Sequence, residues 1–118
     1  MKKDVIFVFG SNTSGRHGKG AALTARLKYG AKYGCGKGRQ GNSYAIPTKD
    51  HQLKTRSLAD IEIDVKKFIK YASDNLELEF LVTRIGCGLA GYNDNDISPM
   101  FKNAPHNCKL PQGWRKLV

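Results

Sequence analysis

The chain has 118 residues, enough for one domain with a single hydrophobic core, and we treat residues 1–118 as that domain. Its composition, 40% hydrophobic and 25% charged, is that of a globular protein, and no apolar run approaches the ~18 residues of a membrane span. The apolar run after Met-Lys-Lys-Asp is too short for a signal peptide. Three cysteines without a Cys-x-x-Cys pair indicate neither a zinc ribbon nor a disulfide scaffold, so a reducing, cytoplasmic location fits best.

The chain is strongly basic, and its charge is unevenly distributed. The formal net charge is +10, and no Asp or Glu occurs between Val5 and Lys49. A field of one sign attracts polyanions. Because this basic half also holds a glycine-rich loop, we expect an anionic partner; a solvated basic face is the alternative.

The first half of the chain predicts alternating strands and helices. Val5–Phe9 is a continuous apolar run, as in a strand buried on both faces. Ala21–Lys32 has the spacing of a helix with a small apolar face. Gly34–Ser43 is predicted as a surface loop. Tyr44–Ile46 is predicted as a short strand that Pro47 stops.

The middle of the chain predicts a second helix and a third strand. Ser57 is an expected N-cap, with Asp60 in the third helical position. The helix is predicted to run to about Ser73, with Asn75 as its stop. Leu78–Ile85 is the next expected strand, and its apolar centre indicates an internal position in the sheet.

The C-terminal part predicts a short helix and a final strand. Asn93–Asp96 offers N-caps for a helix through Lys102, Asn107–Leu110 is an expected edge strand, and Trp114 an expected anchor. The alternation of elements predicts an α/β fold with a mainly parallel or mixed sheet.

Two glycine-rich loops each follow an apolar run. Gly10–Gly20 follows the first predicted strand, and Gly86–Gly91 follows the third. Glycines at a strand end let backbone N–H groups approach an anion closely. Two such loops on neighbouring parallel strands form a crevice at the carboxyl edge of the sheet. The sequence therefore predicts a nucleotide or another phosphate-bearing ligand.

Neither loop fits the common nucleotide motifs. Gly86–Gly91 matches G-x-G-x-x-G, but no long helix follows directly, and Pro111 stands where a dinucleotide site needs an acidic residue. Gly10–Gly15 has the spacing of a P-loop opening, yet Arg16 and His17 replace the required Lys-Ser/Thr. These departures argue against a Rossmann dehydrogenase and a magnesium-dependent nucleotide hydrolase.

For each of three polar residues in or near the loops, two roles are open. Asn12 either closes an Asx turn or fixes a ribose hydroxyl or a water. His17 is either a loop histidine or faces the ligand. Cys87 is either a packing residue or lies near the ligand, with no base to make it a nucleophile. The histidines lack metal-ligand spacing, so we expect no metal and no cofactor.

At these residues the sequence resembles the macro domain family. Phe9–Asn12 and Gly15–Ala22 are similar to its asparagine-bearing strand and the glycine-rich loop that follows, and Val82–Gly91 is similar to its second phosphate loop. The similarity is greatest to the branch of the terminal ADP-ribose protein glycohydrolase, where Leu27–Gly30 also matches. The resemblance implies a macro-like three-layer fold, shortened at the N-terminus. Such small stand-alone proteins are familiar from bacteriophage genomes.

The resemblance also implies a ligand and a set of site residues. ADP-ribose or a related nucleotide would place its diphosphate between the loops, with Asn12 on the distal ribose and the helix near Gly20 directed at the anion. The ligand-binding residues implied are Gly10, Ser11, Asn12, Gly15, Gly18, Gly20, Ala21, Gly86, Cys87, Gly88, Leu89, Ala90, Gly91 and Tyr92. An ADP-ribosylated protein or nucleic acid is the implied larger partner, with no role for a membrane.

Two departures from the family bear on the function. Lys28 falls at the branch's catalytic lysine, with Asn12 as the second implied catalytic residue, but Ala90 replaces the catalytic aspartate. Asp94 or Asp96 substitutes only if the loop folds back. The early aspartate that holds adenine is also missing, and Asp4 is not a convincing replacement.

Three functions remain open at this point. The first is binding of ADP-ribose or a related nucleotide, with hydrolysis of an ADP-ribosyl linkage as its enzymatic form. The second is nucleic-acid binding through the basic half. The third is a non-catalytic scavenger of a nucleotide signalling molecule. The sequence does not determine the oligomeric state.

Overall fold

A computed structural model describes residues 4–88 and 90–117 of the chain. The strands are β1 (Val5–Asn12), β2 (Gly38–Gln40), β3 (Ser43–Lys49), β4 (Glu79–Val82) and β5 (Cys108–Lys109). The helices are α1 (Gly20–Lys28), α2 (Leu58–Asp74), α3 (Asp94–Ile97) and α4 (Trp114–Leu117), with a 3-10 turn at Ser98–Phe101. None of the helices in these two ranges has an apolar stretch of the length that spans a bilayer.

The strands form one sheet in the order β2-β3-β1-β4-β5. β1 is central and pairs in parallel with β3 and β4, β4 pairs in parallel with β5, and β2 pairs antiparallel with β3. The predicted α/β fold with a mainly parallel sheet is therefore confirmed. The parallel arrangement brings the carboxyl ends of β1, β3 and β4 to the same edge.

Side chains of β1 alternate between two hydrophobic cores, one on each face of the sheet. Ile6 and Val8 pack with α2 and the C-terminal elements, whereas Phe7 and Phe9 pack with the alanines of α1. This alternation follows from the two-residue period of a strand. The sheet is thus covered on both faces, which accounts for the uninterrupted apolar run in its central strand.

Several predicted elements are confirmed by their capping contacts. The Ser57 side chain accepts a hydrogen bond from the N–H of Asp60 at 3.1 Å, and Asn75 caps the C-terminus of α2. Asn93 and Asp96 form a reciprocal capping box on α3. Trp114 is fully buried and donates from Nε1 to Asp94 Oδ1 at 2.9 Å.

Other boundaries differ from the sequence-based expectation. Helix α1 ends at Lys28 rather than Lys32, because Gly30 adopts a φ of 78° and reverses the chain. The expected surface loop contains β2, and β3 continues through Pro47. Pro47 pairs with Ser11 of β1 but lies beyond the residues that pair with β2. Its missing N–H therefore removes no hydrogen bond on that side of the strand.

Candidate functional site

A cavity of about 780 Å³ opens at the carboxyl ends of β1, β3 and β4. Two loops flank it. Loop 1, residues 13–19, joins β1 to α1, and loop 2, residues 83–93, joins β4 to α3. The strand ends contribute Gly10 and Ser11 from β1, and Thr48 and Lys49 from β3. This is the edge at which open α/β sheets bind ligands, so the cavity is the candidate site.

Asn12 shapes loop 1. Its side-chain oxygen accepts hydrogen bonds from the N–H of Arg16 at 2.9 Å and the hydroxyl of Ser14 at 3.0 Å. Its amide nitrogen donates to the Arg16 carbonyl at 2.9 Å. The side chain is buried and is not among the residues that line the cavity. These contacts agree with the first role considered for Asn12, closing a turn, rather than with contact to a ribose.

His17 also faces the protein interior. It is fully buried, its Nε2 lies 3.0 Å from the Cys35 carbonyl, and its ring packs edge-on against Phe9 at 5.3 Å. These contacts tie loop 1 to the segment formed by residues 30–37. The N–H of Gly34 adds a hydrogen bond to the Gly15 carbonyl at 2.8 Å. Loop 1 is therefore held in shape by contacts with residues 30–37 and with Phe9. Arg16, Gly18 and Lys19 of the same loop line the cavity.

The N-terminus of α1 opens into the cavity. Gly20, Ala21 and Ala22 line it, and the N-cap residue Lys19 makes no side-chain capping bond. In the described part of the chain, the N–H groups of Gly20, Ala21 and Ala22 donate to no protein acceptor. The first turn of a helix carries a partial positive charge on such N–H groups. This end of α1 is consequently suited to an anion.

Loop 2 begins with a tight turn and is held by hydrogen bonds to the segment between β3 and α2. Gly86 has a φ of 75°, and a Cβ there would lie 3.0 Å from Ile97 Cδ1. Thr55 donates its hydroxyl to the Ala90 carbonyl at 2.9 Å, and the Tyr92 hydroxyl donates to the Arg56 carbonyl at 2.6 Å. The segment between β3 and α2 therefore fixes the position of loop 2.

The charged residues that line the cavity are all basic. They are Arg16, Lys19, Lys49 and Arg84, and the described lining contains no Asp or Glu. Arg84 is paired with Asp94 through two hydrogen bonds of 2.9 Å. The other three basic groups have no ion pair among the described residues. The electrostatics of the site therefore favour an anionic ligand.

Cys87 lines the cavity, but it is a poor nucleophile. Burial, together with the negative charge of Asp94, raises the pKa of its thiol to about 11. The thiolate is the reactive form of cysteine. At neutral pH, Cys87 is therefore a neutral thiol that packs against the ligand space. The described residues also contain no group of three or more His, Cys, Asp or Glu able to hold a metal ion.

Alkylation with iodoacetamide tests this state of Cys87. Because the thiolate fraction rises about tenfold per pH unit below the pKa, we expect the Cys87 alkylation rate to climb continuously between pH 7 and pH 10. The rate is followed peptide by peptide by mass spectrometry on the folded protein. A rate that already levels off near pH 8 would contradict the raised pKa. Cys87→Ser identifies the modified peptide.

The structure places the predicted site residues in two groups. Those that line the cavity are Gly10, Ser11, Gly18, Gly20, Ala21, Gly86, Cys87, Gly88 and Ala90. Gly15, Gly91 and Tyr92 lie in the two loops, and Asn12 lies at the end of β1; all four hold the shape of the loops. Leu89 lies outside the described residues. Lys28 is exposed near the end of α1 and does not line the cavity.

The substitute carboxylates considered for the missing aspartate are engaged elsewhere. Asp94 binds Arg84 and Trp114, and these hydrogen bonds, with Trp114 first, lower the pKa of its carboxyl. Asp96 belongs to the capping box of α3. Neither lines the cavity in the described part of the chain. The described residues therefore do not assemble a lysine–aspartate pair in this cavity.

Sequence reasoning missed several residues of the lining. Thr48 and Lys49 escaped because Pro47 was expected to end the strand that carries them. Thr83 was also missed, although it directly follows β4. The tendency of ligands to bind at the carboxyl ends of parallel strands would have indicated it. Tyr33 and Leu53 lie in connecting segments, and no local pattern marks them. Comparison with protein-family models, with curated proteins and with solved structures yields no match to this chain.

Proposed function

We propose that the cavity binds ADP-ribose or a related nucleotide with a diphosphate. The observation that carries the proposal is the junction of two kinds of anion-binding group in one cavity. The unpartnered N–H groups at the start of α1 face a space also lined by Arg16, Lys19 and Lys49. A diphosphate can use both at once.

The diphosphate is proposed to lie between the start of α1 and the Gly86–Gly88 part of loop 2. Both stretches line the cavity, and both consist of small residues whose backbone can approach a phosphate closely. A volume of about 780 Å³ exceeds what a diphosphate alone requires and leaves room for a nucleoside and a sugar. The resemblance of loops 1 and 2 to those of macro domains supports ADP-ribose among such nucleotides.

We propose binding rather than hydrolysis as the main activity. General acid–base cleavage of an ADP-ribosyl linkage needs a group within hydrogen-bond reach of the reacting atoms. The described lining holds no carboxylate, and Lys28 is exposed outside it. A scavenger of a nucleotide signalling molecule needs the same cavity without a catalytic carboxylate, and this arrangement suits that role.

Titration calorimetry with ADP-ribose tests the proposal, with AMP and ribose 5-phosphate as partial ligands. We expect micromolar binding of ADP-ribose and much weaker binding of either part. Lys49→Ala removes a cation from the wall and should weaken binding about tenfold, the cost of one charge-assisted contact. Lys67→Ala, an exposed lysine on α2, is the matched control and should leave the affinity unchanged. Absence of heat from a folded sample would contradict the proposal.

Nucleic-acid binding is the second candidate, and the charge distribution favours it. Exposed basic residues outside the cavity lining also occur in the N-terminal half of the chain, at Arg26, Lys28, Lys32, Lys37 and Arg39. Salt separates the two candidates. Binding through many phosphates weakens steeply as salt rises, whereas a two-phosphate ligand depends on salt weakly. A shallow salt dependence for ADP-ribose together with no binding of an oligonucleotide would leave the nucleotide proposal standing alone.

A further inference from the structure

Two large apolar side chains are exposed at the cavity. Tyr33 is 61% exposed and Leu53 is 47% exposed, and both line the same space as the basic residues. Tyr33 comes from the segment after α1 and Leu53 from the turn after β3. Two apolar groups that are 20 residues apart in the sequence thus line one cavity.

The backbone of Leu53 points to a role for its side chain. Leu53 has a φ of 62°, the one positive φ at a non-glycine residue in the described ranges. Its N–H donates to the Asp50 carbonyl at 3.0 Å. The Asp50 carboxylate accepts from the N–H groups of Gln52 and Lys54 at 2.8 and 3.0 Å. Glycine or asparagine suits such a turn better than leucine, so the turn alone does not explain the residue.

Tyr33 presents an aromatic face at a defined place. The guanidinium carbon of Arg26 lies 5.6 Å from the centre of its ring, which covers one face with a cation. The hydrogen bond from Gly34 to Gly15 ties the adjoining backbone to loop 1. A flat ring stacked on the other face of Tyr33 would gain contact with a side chain that is already positioned.

We propose that Tyr33 and Leu53 form a subsite that holds the heteroaromatic base of the nucleotide by its two faces. This subsite rests on the proposed nucleotide-binding function and assigns the base of the ligand to the part of the cavity that Tyr33 and Leu53 line. The described lining offers no carboxylate to read the amino group of adenine. Because the proposed contacts of Tyr33 and Leu53 are to the faces of the base and not to its edge, a hypoxanthine base should bind nearly as well as adenine.

The test measures the affinity of ADP-ribose, its hypoxanthine analogue and inorganic pyrophosphate for four variants. Tyr33→Ala and Leu53→Gly should each weaken ADP-ribose about tenfold, in line with the loss of a stacked contact, and leave pyrophosphate unchanged. Tyr33→Phe keeps the ring and should retain the wild-type affinity. Leu27→Ala is the leucine control, because Leu27 is 68% exposed and lies outside the cavity lining.

Leu53→Gly separates the side chain from the turn, since glycine adopts a positive φ freely and keeps the backbone. Unchanged ADP-ribose affinity in both Tyr33→Ala and Leu53→Gly would overturn the subsite and leave the nucleotide proposal intact. Equal loss of ADP-ribose and pyrophosphate would overturn it too, because that result reports a distorted cavity. A strong preference for adenine over hypoxanthine would contradict recognition by the faces alone. Wild-type protein that binds no ADP-ribose would overturn the proposed function and the subsite together.

Discussion

Gly36→Ala is expected to destabilise the protein by about 3 kcal/mol and to lower its melting temperature by about 10 °C. A Cβ at position 36 would lie 2.1 Å from the carbonyl oxygen of Asn12 and 3.0 Å from the carbonyl carbon of Thr13. Both are backbone atoms, so no side-chain rotation relieves the overlap. The Gly36 carbonyl also accepts the hydroxyl of Ser11. The segment after α1 therefore has to move away from the end of β1.

Gly18→Ala is the matched control for this prediction. A Cβ at Gly18 meets no atom within 4 Å, and the residue does not have a positive φ. Its stability should be unchanged or slightly raised, because alanine restricts the unfolded chain. Thermal unfolding without ligand compares the two variants. Equal melting temperatures would show that the approach of the two backbones is less close than the structure gives.

Gly36→Ala should also impair ligand binding. Loop 1 follows directly on Asn12, and its shape depends on the segment that carries Gly36. Displacing that segment displaces the N-terminus of α1 with it. We therefore expect Gly36→Ala to lose ADP-ribose affinity even at temperatures where it remains folded.

Asp64→Ala is expected to cost about 3 kcal/mol of stability, because it leaves a largely buried guanidinium without its carboxylate. Asp64 is 3% exposed, and its Oδ2 accepts from Arg56 at 2.7 Å. The Lys37 ammonium lies 3.2 Å from Oδ1, close enough for an ion pair although not aligned as a hydrogen bond. After the substitution, the described partner left to the Arg56 guanidinium is the Pro47 carbonyl, at 2.8 Å.

Asp74→Ala is the control for Asp64→Ala. Asp74 also pairs with a basic residue, Lys70, at 3.0 Å, but both side chains are mostly exposed. Exposed pairs contribute little, so its stability should change by less than about 0.5 kcal/mol. Urea unfolding measures both variants. If the two lost the same small amount of stability, the burial of the Asp64 pair would be without energetic consequence.

A double substitution distinguishes the charge from the packing at this position. Replacing Arg56 by Met together with Asp64→Leu removes both charges and keeps apolar volume, and should recover much of the lost stability. Changes at the Arg56–Asp64 pair should also affect the cavity, because the Arg56 carbonyl accepts the hydrogen bond that holds Tyr92 of loop 2. Asp64→Ala should therefore weaken ligand binding, whereas the double variant should bind more nearly as the wild type does.

The elements of this fold were predicted where the signal is local. The apolar run of β1, the Ser57 cap with Asp60, the Asn93 cap with Asp96 and the buried Trp114 can each be read from neighbouring residues. Such signals depend on strand burial and on the first turn of a helix, which are properties of a few consecutive residues. The two glycine-rich loops at strand ends belong to this group and indicated the edge where the cavity lies.

The tertiary structure alone decided which side chains meet in the cavity. Lys49, Tyr33 and Leu53 line it because β3 lies beside β1 and the adjoining segments reach the same edge. The same packing turns Asn12 and His17 inward, where they support loop 1, and leaves Lys28 on the outside of α1. Strand order and the direction of a side chain depend on contacts between distant parts of the chain. By itself, this sequence therefore determined most of its elements and the two glycine-rich loops beside the cavity, while the shape of the site was decided by how those elements pack.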